Sequence, residues 1–185
     1  MSTCMLPFIQ ALLRAPAEVG AVLPSSRHLA HAMAQVAAAS DRGGSLLEIG
    51  AGSGALTRAL VARFGRERLQ VVECSPPLAS VLRQRFPQLT VLEQRAEQVL
   101  THAMQCADQM LVVSSLPFKS LPLRQARRVA KAYQDLVMRG GSVVQFSYGR
   151  LPPFPLSSGV PLRWQAQCRV WRNLPPATVW QLCRV

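Results

Sequence analysis

The segment Glu48-Ile49-Gly50-Ala51-Gly52-Ser53-Gly54 constrains this chain more than any other. It follows the apolar pair Leu46-Leu47 and opens a stretch of helical period from Ala55 to Phe64. Glycines at alternate positions weaken the interior of a helix or a strand. Between a buried strand and a helix they instead make a tight turn and let a ligand lie close to the backbone. The alternation continues downstream. Strands are predicted over Leu69 to Glu73, Thr90 to Leu92, Met110 to Ser114 and Val143 to Tyr148, with helices over Pro77 to Phe86 and about Pro122 to Met138. Strands alternating with helices imply crossover units and a mainly parallel sheet.

The ends of the chain differ from this middle. Pro24-Ser25-Ser26 offers N-caps for a helix carrying Leu29, Met33, Val36 and Ala37 at helical spacing. Trp164 to Trp171 and Val179 to Val185 read as strands joined through Asn173-Leu174-Pro175-Pro176, an antiparallel hairpin closing one sheet edge. Residues 1–40 are expected to form N-terminal helices and residues 41–185 a core, within one compact domain of 185 residues.

Hydrophobic residues make up 49% of the chain and the formal net charge is +12, which excludes a disordered polyelectrolyte and favours an anionic partner, phospholipid or nucleic acid. Asp135 is the last acidic residue, and Arg139, Arg150, Arg163, Arg169, Arg172 and Arg184 follow it. Arg124, Arg127, Arg128 and Lys131 share one helix face. Five cysteines without a C-x-x-C pair suggest neither a disulfide framework nor a zinc site, and Cys106 and Cys168 read as buried packing residues. His28 and His31 stand one helical turn apart with no third ligand nearby in sequence, so no metal is expected. No apolar run approaches the roughly 20 residues that span a bilayer. Met5 to Arg14 is short and lacks a basic start and a cleavage site; Phe8, Ile9, Leu12 and Leu13 on one face fit an interfacial helix or one packed on the domain.

The glycine segment points to a nucleotide-type cofactor, with Glu48, Gly50, Gly52, Gly54 and Glu73 as its candidate ligands. Glu73 ends the next strand, where a carboxylate can accept two bonds from ribose hydroxyls. Gly50, Gly52 and Ala55 also satisfy the loose dinucleotide fingerprint. Glu48, two positions before the first glycine, is placed to hold the amino end of a methionine moiety, and this favours S-adenosylmethionine over a nicotinamide.

With Glu48-x-Gly50-x-Gly52-x-Gly54, Glu73 and this strand schedule, residues 44 to 185 resemble a class I methyltransferase. The resemblance implies a Rossmann-like α/β fold: a seven-stranded, mostly parallel sheet with a C-terminal antiparallel hairpin. A narrower resemblance rests on Val19-Gly20-Ala21-Val22-Leu23-Pro24-Ser25-Ser26, Ser114-Ser115-Leu116-Pro117-Phe118, Gln145-Phe146-Ser147-Tyr148-Gly149 and Val170-Trp171-Arg172-Asn173-Leu174-Pro175-Pro176-Ala177. These segments are similar to the bacterial soluble-type phosphatidylethanolamine N-methyltransferases. That resemblance implies methylation of phosphatidylethanolamine by a cytoplasmic enzyme, peripheral on the inner face of the membrane, with an N-terminal helix contributing to contact. One departure is Arg95, within Glu93-Gln94-Arg95-Ala96-Glu97, where class I enzymes usually place an acid against the adenine amino group. Glu93, Glu97 or a backbone carbonyl then has to accept that bond.

The acceptor side is expected after the fourth and fifth strands, at the carboxyl edge where open α/β sheets bind ligands. Ser114 is a further candidate cofactor ligand. Ser115 stands where comparable amino-methylating segments carry Asn, and its hydroxyl or carbonyl can accept a bond from an amine. Tyr148 ends its strand at the same edge, able to orient an amine or to favour a methylated ammonium by cation–π attraction. Ser115 and Tyr148 are the candidate catalytic residues; Phe118 and Arg172, the latter for a lipid phosphate, are candidate substrate contacts. Serine at 115 lacks the amide's grip on a flat adenine, so nucleic acid is the weaker partner. RNA adenine methylation and a catalytically inactive binding protein are the competing readings.

Overall fold

The computed structural model describes residues 27–185. The proposed interfacial segment Met5 to Arg14 and the Pro24-Ser25-Ser26 turn lie outside the described residues. Helix α1 spans Arg27–Ala39. It is followed by β1 (Leu46–Ile49), α2 (Ala55–Phe64), β2 (Leu69–Val72), α3 (Pro76–Arg85), β3 (Thr90–Leu92) and α4 (Ala96–Ala103). A 3-10 segment, Met104–Gln109, leads to β4 (Leu111–Ser114), α5 (Leu123–Met138), β5 (Ser142–Tyr148), β6 (Leu162–Val170) and β7 (Ala177–Arg184).

The seven strands form one sheet in the order β3-β2-β1-β4-β5-β7-β6. The first five are parallel, and β7 runs antiparallel to both β5 and β6. Each parallel crossover carries helical chain over a face of the sheet, so β1 and β4 are buried throughout. Side chains alternate between faces. Leu46, Val71, Val113 and Val144 pack with α1 and α2 through Leu29, Met33, Leu56 and Leu60. Leu47, Ile49, Val112 and Val143 pack with α4 and α5 through Val99, Val129, Tyr133 and Leu136. Helix α1 is thus a layer of the core, burying Leu29, Ala30, Met33, Ala34 and Ala37.

This topology places the site. The connection from β1 runs to β2 on one side, and β4 lies on the other. Successive crossovers therefore leave in opposite directions and open a crevice at the carboxyl ends of β1 and β4. Because β7 is antiparallel to β5, with Ala177 opposite Tyr148, the β6–β7 turn returns to this same edge. Cys168, expected in the core, is only half-buried: it flanks a bulge in the edge strand β6 and packs against the rim of the α1 and α2 side of the core, while the side chain of Cys106 lies outside the described residues. His28 and His31 are exposed on α1, and among the described residues no cluster of His, Cys, Asp and Glu could hold a metal ion.

Candidate functional site

The glycine segment turns at the end of β1 with Gly50, Gly52 and Gly54 at φ +77°, +55° and +82°, a region that residues bearing a Cβ rarely adopt. Two of these glycines have different second reasons. A Cβ on Gly54 would lie 2.9 Å from Leu82 and Phe86 of α3, so Gly54 serves packing. A Cβ on Gly52 would meet nothing within 4 Å, so the backbone there faces open space. The turn is tied down by Gly50 N–H donating to Val72 O at 2.9 Å and by the Arg85 guanidinium donating to Ser53 O at 2.9 Å.

Glu73 follows β2 and is buried. Its Oε2 accepts the Gly52 N–H at 2.9 Å and its Oε1 accepts the Ser75 N–H at 2.9 Å. An ionised carboxylate has about four acceptor positions, so this one keeps capacity for two further donors. Beside it stands Cys74, an exposed thiol pushed up by partial burial and then by the Glu73 charge.

Glu48 is fully buried within β1. Thr57 approaches its carboxylate from α2, yet neither Glu48 oxygen nor the Thr57 hydroxyl has a partner in hydrogen-bonding geometry. Burial pushes the Glu48 carboxyl up to about 8; Thr57 offsets part of that rise and the Glu73 charge adds to it. A buried carboxyl without partners is costly and is either kept neutral or awaits a cationic partner. Glu93 is held by Arg83 at 3.0 Å, and Glu97 accepts from Gln125 at 3.3 Å. Arg95 stands at the N-terminus of α4, where its N–H donates to Gln98 Oε1 at 3.1 Å.

The segment after β4 folds against the glycine turn: the Ser115 N–H donates to Ile49 O at 2.8 Å, and the Leu116 side chain lies where a Cβ on Gly50 would meet it at 3.1 Å. Ser114 is fully buried, with its Oγ accepting the Leu116 N–H at 3.3 Å and facing Tyr133. Its hydroxyl therefore lies within the α5 side of the core. Ser115 is half-buried at the crevice. Phe118 is buried among Tyr133 and Phe154, with ring centroids at 6.0 and 4.5 Å. Gln145 of β5 sits opposite Ser114; its Nε2 donates to Leu116 O at 3.1 Å and to Phe146 O at 3.0 Å, while its Oε1 is buried without a partner. Tyr148 is about half exposed at the end of β5, with its ring edge-on to Phe146 at 5.4 Å. Arg172 is exposed in the β6–β7 turn.

No protein-family model matches the chain, and no curated protein matches it. Solved structures do. The N-methyltransferase NodS from Bradyrhizobium japonicum, in complex with S-adenosyl-L-homocysteine, is similar over 95% of this chain and 97% of its own, at 16% identity and a TM-score of 0.63. A SAM-dependent methyltransferase from Anabaena variabilis is similar over 86% of this chain and 84% of its own, at 12% identity and a TM-score of 0.63. The fold is the Rossmann-like methyltransferase fold. A TehB-like SAM-dependent methyltransferase from Corynebacterium glutamicum shares it over 83% of this chain and 87% of its own, at 16% identity and a TM-score of 0.57.

Within this fold, Glu48, Gly50, Gly52, Gly54 and Glu73 meet at one turn, and Ser115 is joined to it through Ile49. Ser114 and Phe118 lie behind them in the core, and Tyr148 and Arg172 lie along the same edge nearer the hairpin. Sequence reasoning missed Thr57, Gln145 and Tyr133. Gln145 carries a signal, a polar residue interrupting Val143-Val144 and Phe146 in a buried strand. Thr57 and Tyr133 carry none, because each faces the site only through helix packing. A cavity of about 590 Å³ lined by Gly43, Ser45, Gln70 and Asp108 lies at the opposite, amino edge of the sheet, away from all these residues.

Proposed function

We propose that the protein is an S-adenosylmethionine-dependent N-methyltransferase whose acceptor is the primary amine of phosphatidylethanolamine. The observation that carries the cofactor assignment is the pairing of a half-satisfied Glu73 carboxylate with open space at Gly52, above the orphaned carboxyl of Glu48. These residues fit the cofactor: Glu73 has acceptors left for ribose hydroxyls, Gly52 leaves room at the backbone, and Glu48 lacks the cationic partner that a methionine ammonium would be. Two similar solved structures, an N-methyltransferase holding S-adenosyl-L-homocysteine and a SAM-dependent methyltransferase, support the same reading.

The cofactor supplies an electrophilic methyl group on a sulfonium. What the protein has to supply is an amine with a free lone pair, aligned with that methyl. An alkylammonium resembles lysine, with a pKa of about 10.4, and removal from water lowers it. Holding the two reactants in line is worth about 7–11 kcal/mol of the barrier, so no strong base is required. Ser115, at the crevice and fixed to β1, offers a hydroxyl and a carbonyl to the amine; Tyr148 offers a phenol and a ring face. Arg172 is the candidate for the lipid phosphate.

The choice of phosphatidylethanolamine rests on the sequence resemblance and on the basic charge. Incubation of the protein with methyl-labelled S-adenosylmethionine, phosphatidylethanolamine vesicles and, in parallel, total RNA tests it. Label is expected in the lipid fraction. Label confined to RNA, or none in lipid despite cofactor binding, removes the lipid assignment while leaving the cofactor assignment standing.

A further inference from the structure

Six large hydrophobic side chains are strongly exposed among the described residues, and four of them are gathered at one place. Tyr148 and Leu151 lie at and just after the end of β5, and Trp171 and Leu174 lie in the β6–β7 turn; Leu151, Trp171 and Leu174 are 68, 66 and 70% exposed. Backbone and side-chain bonds weld the two segments together. Gly149 N–H donates to Pro176 O at 3.1 Å, and Gly149 O accepts from Thr178 Oγ1 at 2.6 Å and from Arg169 at 3.4 Å. Ser147 Oγ donates to Leu151 O, fixing the start of the loop. The exposed side chains therefore stand on a preformed support, at the carboxyl edge that carries the glycine turn.

The charges around them have one sign. Arg150 and Arg172 are exposed beside the apolar residues, and the Arg169 guanidinium lies 4.4 Å over the Trp171 ring. No acidic residue follows Asp135 in the sequence. Aliphatic tips, an interfacial tryptophan and flanking arginines match the boundary between headgroups and acyl chains of an anionic bilayer. RNA would use the arginines and the indole but would leave Leu151 and Leu174 without a partner.

We propose that this β5–β6 and β6–β7 surface is the element that seats the protein on an anionic lipid bilayer, with Trp171, Leu174 and Leu151 entering the interface and Arg150 and Arg172 meeting lipid phosphates. The proposal rests on the lipid reading of the site and names the surface through which a lipid amine would be presented to it.

Trp171 is its own reporter, because Trp180 is buried and Trp164 half-buried with its Nε1–H donating to Phe154 O. The full chain is mixed with vesicles of phosphatidylcholine and phosphatidylglycerol in equal parts, and tryptophan emission, acrylamide quenching and co-sedimentation are measured. A blue shift and protection that vanish in Trp171→Phe are expected. Trp171→Ala combined with Leu174→Ala is expected to lose at least about tenfold in vesicle partitioning, and Arg150→Gln or Arg172→Gln about fivefold each. Val185→Ser, exposed at the far end of β7, is the control expected to bind normally. Co-sedimentation with Trp171 still open to acrylamide would overturn the proposal. So would absence of vesicle binding, protection by RNA alone, or shielding of Trp171 before any vesicle is added, which would mean that another part of the chain or a second copy covers the surface. Insertion of Trp171 into these vesicles, together with no label in phosphatidylethanolamine in the methyl-transfer assay above, would uphold the docking surface and sink the lipid-acceptor reading.

Discussion

The amide of Gly52 and the carboxylate of Glu73, twenty-one residues apart, are joined by a 2.9 Å hydrogen bond across the carboxyl ends of β1 and β2. Glu73 thereby holds the glycine turn in the shape a ligand requires, with a second anchor at the Ser75 N–H. Replacing Glu73 with Ala removes both the brace and the acceptors proposed for the ribose. Hydrogen bonds to charged groups are worth about 1.5–3 kcal/mol, so S-adenosylmethionine affinity is expected to fall roughly 10- to 100-fold by titration calorimetry. A change below about twofold would contradict the assigned role.

The buried Glu48 carboxyl predicts an unusual pH dependence. Between its ordinary pKa of 4.5 and about 8 the unfolded chain carries the Glu48 charge and the folded protein does not. The folded state then binds more protons, so stability falls as pH rises through this window, by up to about 1.4 kcal/mol per pH unit from this group. Glu48→Gln abolishes that contribution. Urea denaturation is expected to show the variant more stable than the parent above about pH 8, with the gap closing toward pH 4.5. The same variant is expected to bind S-adenosylmethionine more weakly, because an amide cannot ionise to become the counter-charge when the ammonium arrives. Parallel stability profiles at every pH would refute the buried, unpaired state.

The two ends of the glycine turn are expected to fail differently. Gly54→Ala places a methyl 2.9 Å from Leu82 and Phe86 at φ +82°, combining left-handed strain with overpacking, at a cost of at least about 2 kcal/mol. Gly52→Ala meets no neighbour and costs about 1–2 kcal/mol of strain, but its methyl enters the space left for the cofactor. Thermal melts and calorimetry together should find the larger stability loss in the first variant. The larger cofactor loss, relative to stability, belongs to the second.

These glycines and Glu48 were legible as candidates because they share one short motif between a strand and a helix, and Glu73 because it ends the next strand. The succession of strands and helices was legible because periodicity switches at each crossover, and the β6–β7 hairpin because it differs in composition from the parallel strands; the order of the strands across the sheet appears only in the fold. Helix α4 and the 3-10 segment after it were not read. Only Ala96, Val99 and Leu100 of α4 are buried, and Arg95 replaces an ordinary capping residue at its start. Gln98, whose side chain accepts the Arg95 N–H, was the available signal. Thr57 and Tyr133 stayed hidden because the groups they face lie on other elements, a relation that exists only after packing. The buried hydroxyl of Ser114 differs from its open neighbour Ser115 through strand alternation, which the motif alone did not resolve.

Gln145 is expected to act through the turn that carries Ser115. Its Nε2 holds Leu116 O and Phe146 O, whereas its Oε1 is buried and unpaired, so Gln145→Leu trades two lost bonds against one relieved orphan and should cost only about 1 kcal/mol of stability. Loss of the tether lets the turn drift, and misplacement of reacting groups by about 1 Å costs up to ~100-fold. Methyl transfer is expected to slow by roughly 10- to 100-fold in kcat with cofactor Kd unaltered. A variant with wild-type kcat would remove Gln145 from the positioning of the acceptor side.

The glycine turn, Glu73 and Glu48 together are assigned to S-adenosylmethionine rather than to a nicotinamide. Titration calorimetry of the full chain with S-adenosyl-L-homocysteine, and separately with NAD, measures this directly. Saturable binding of S-adenosyl-L-homocysteine and no heat with NAD is the result the geometry predicts; binding of NAD alone, or of neither, would contradict it.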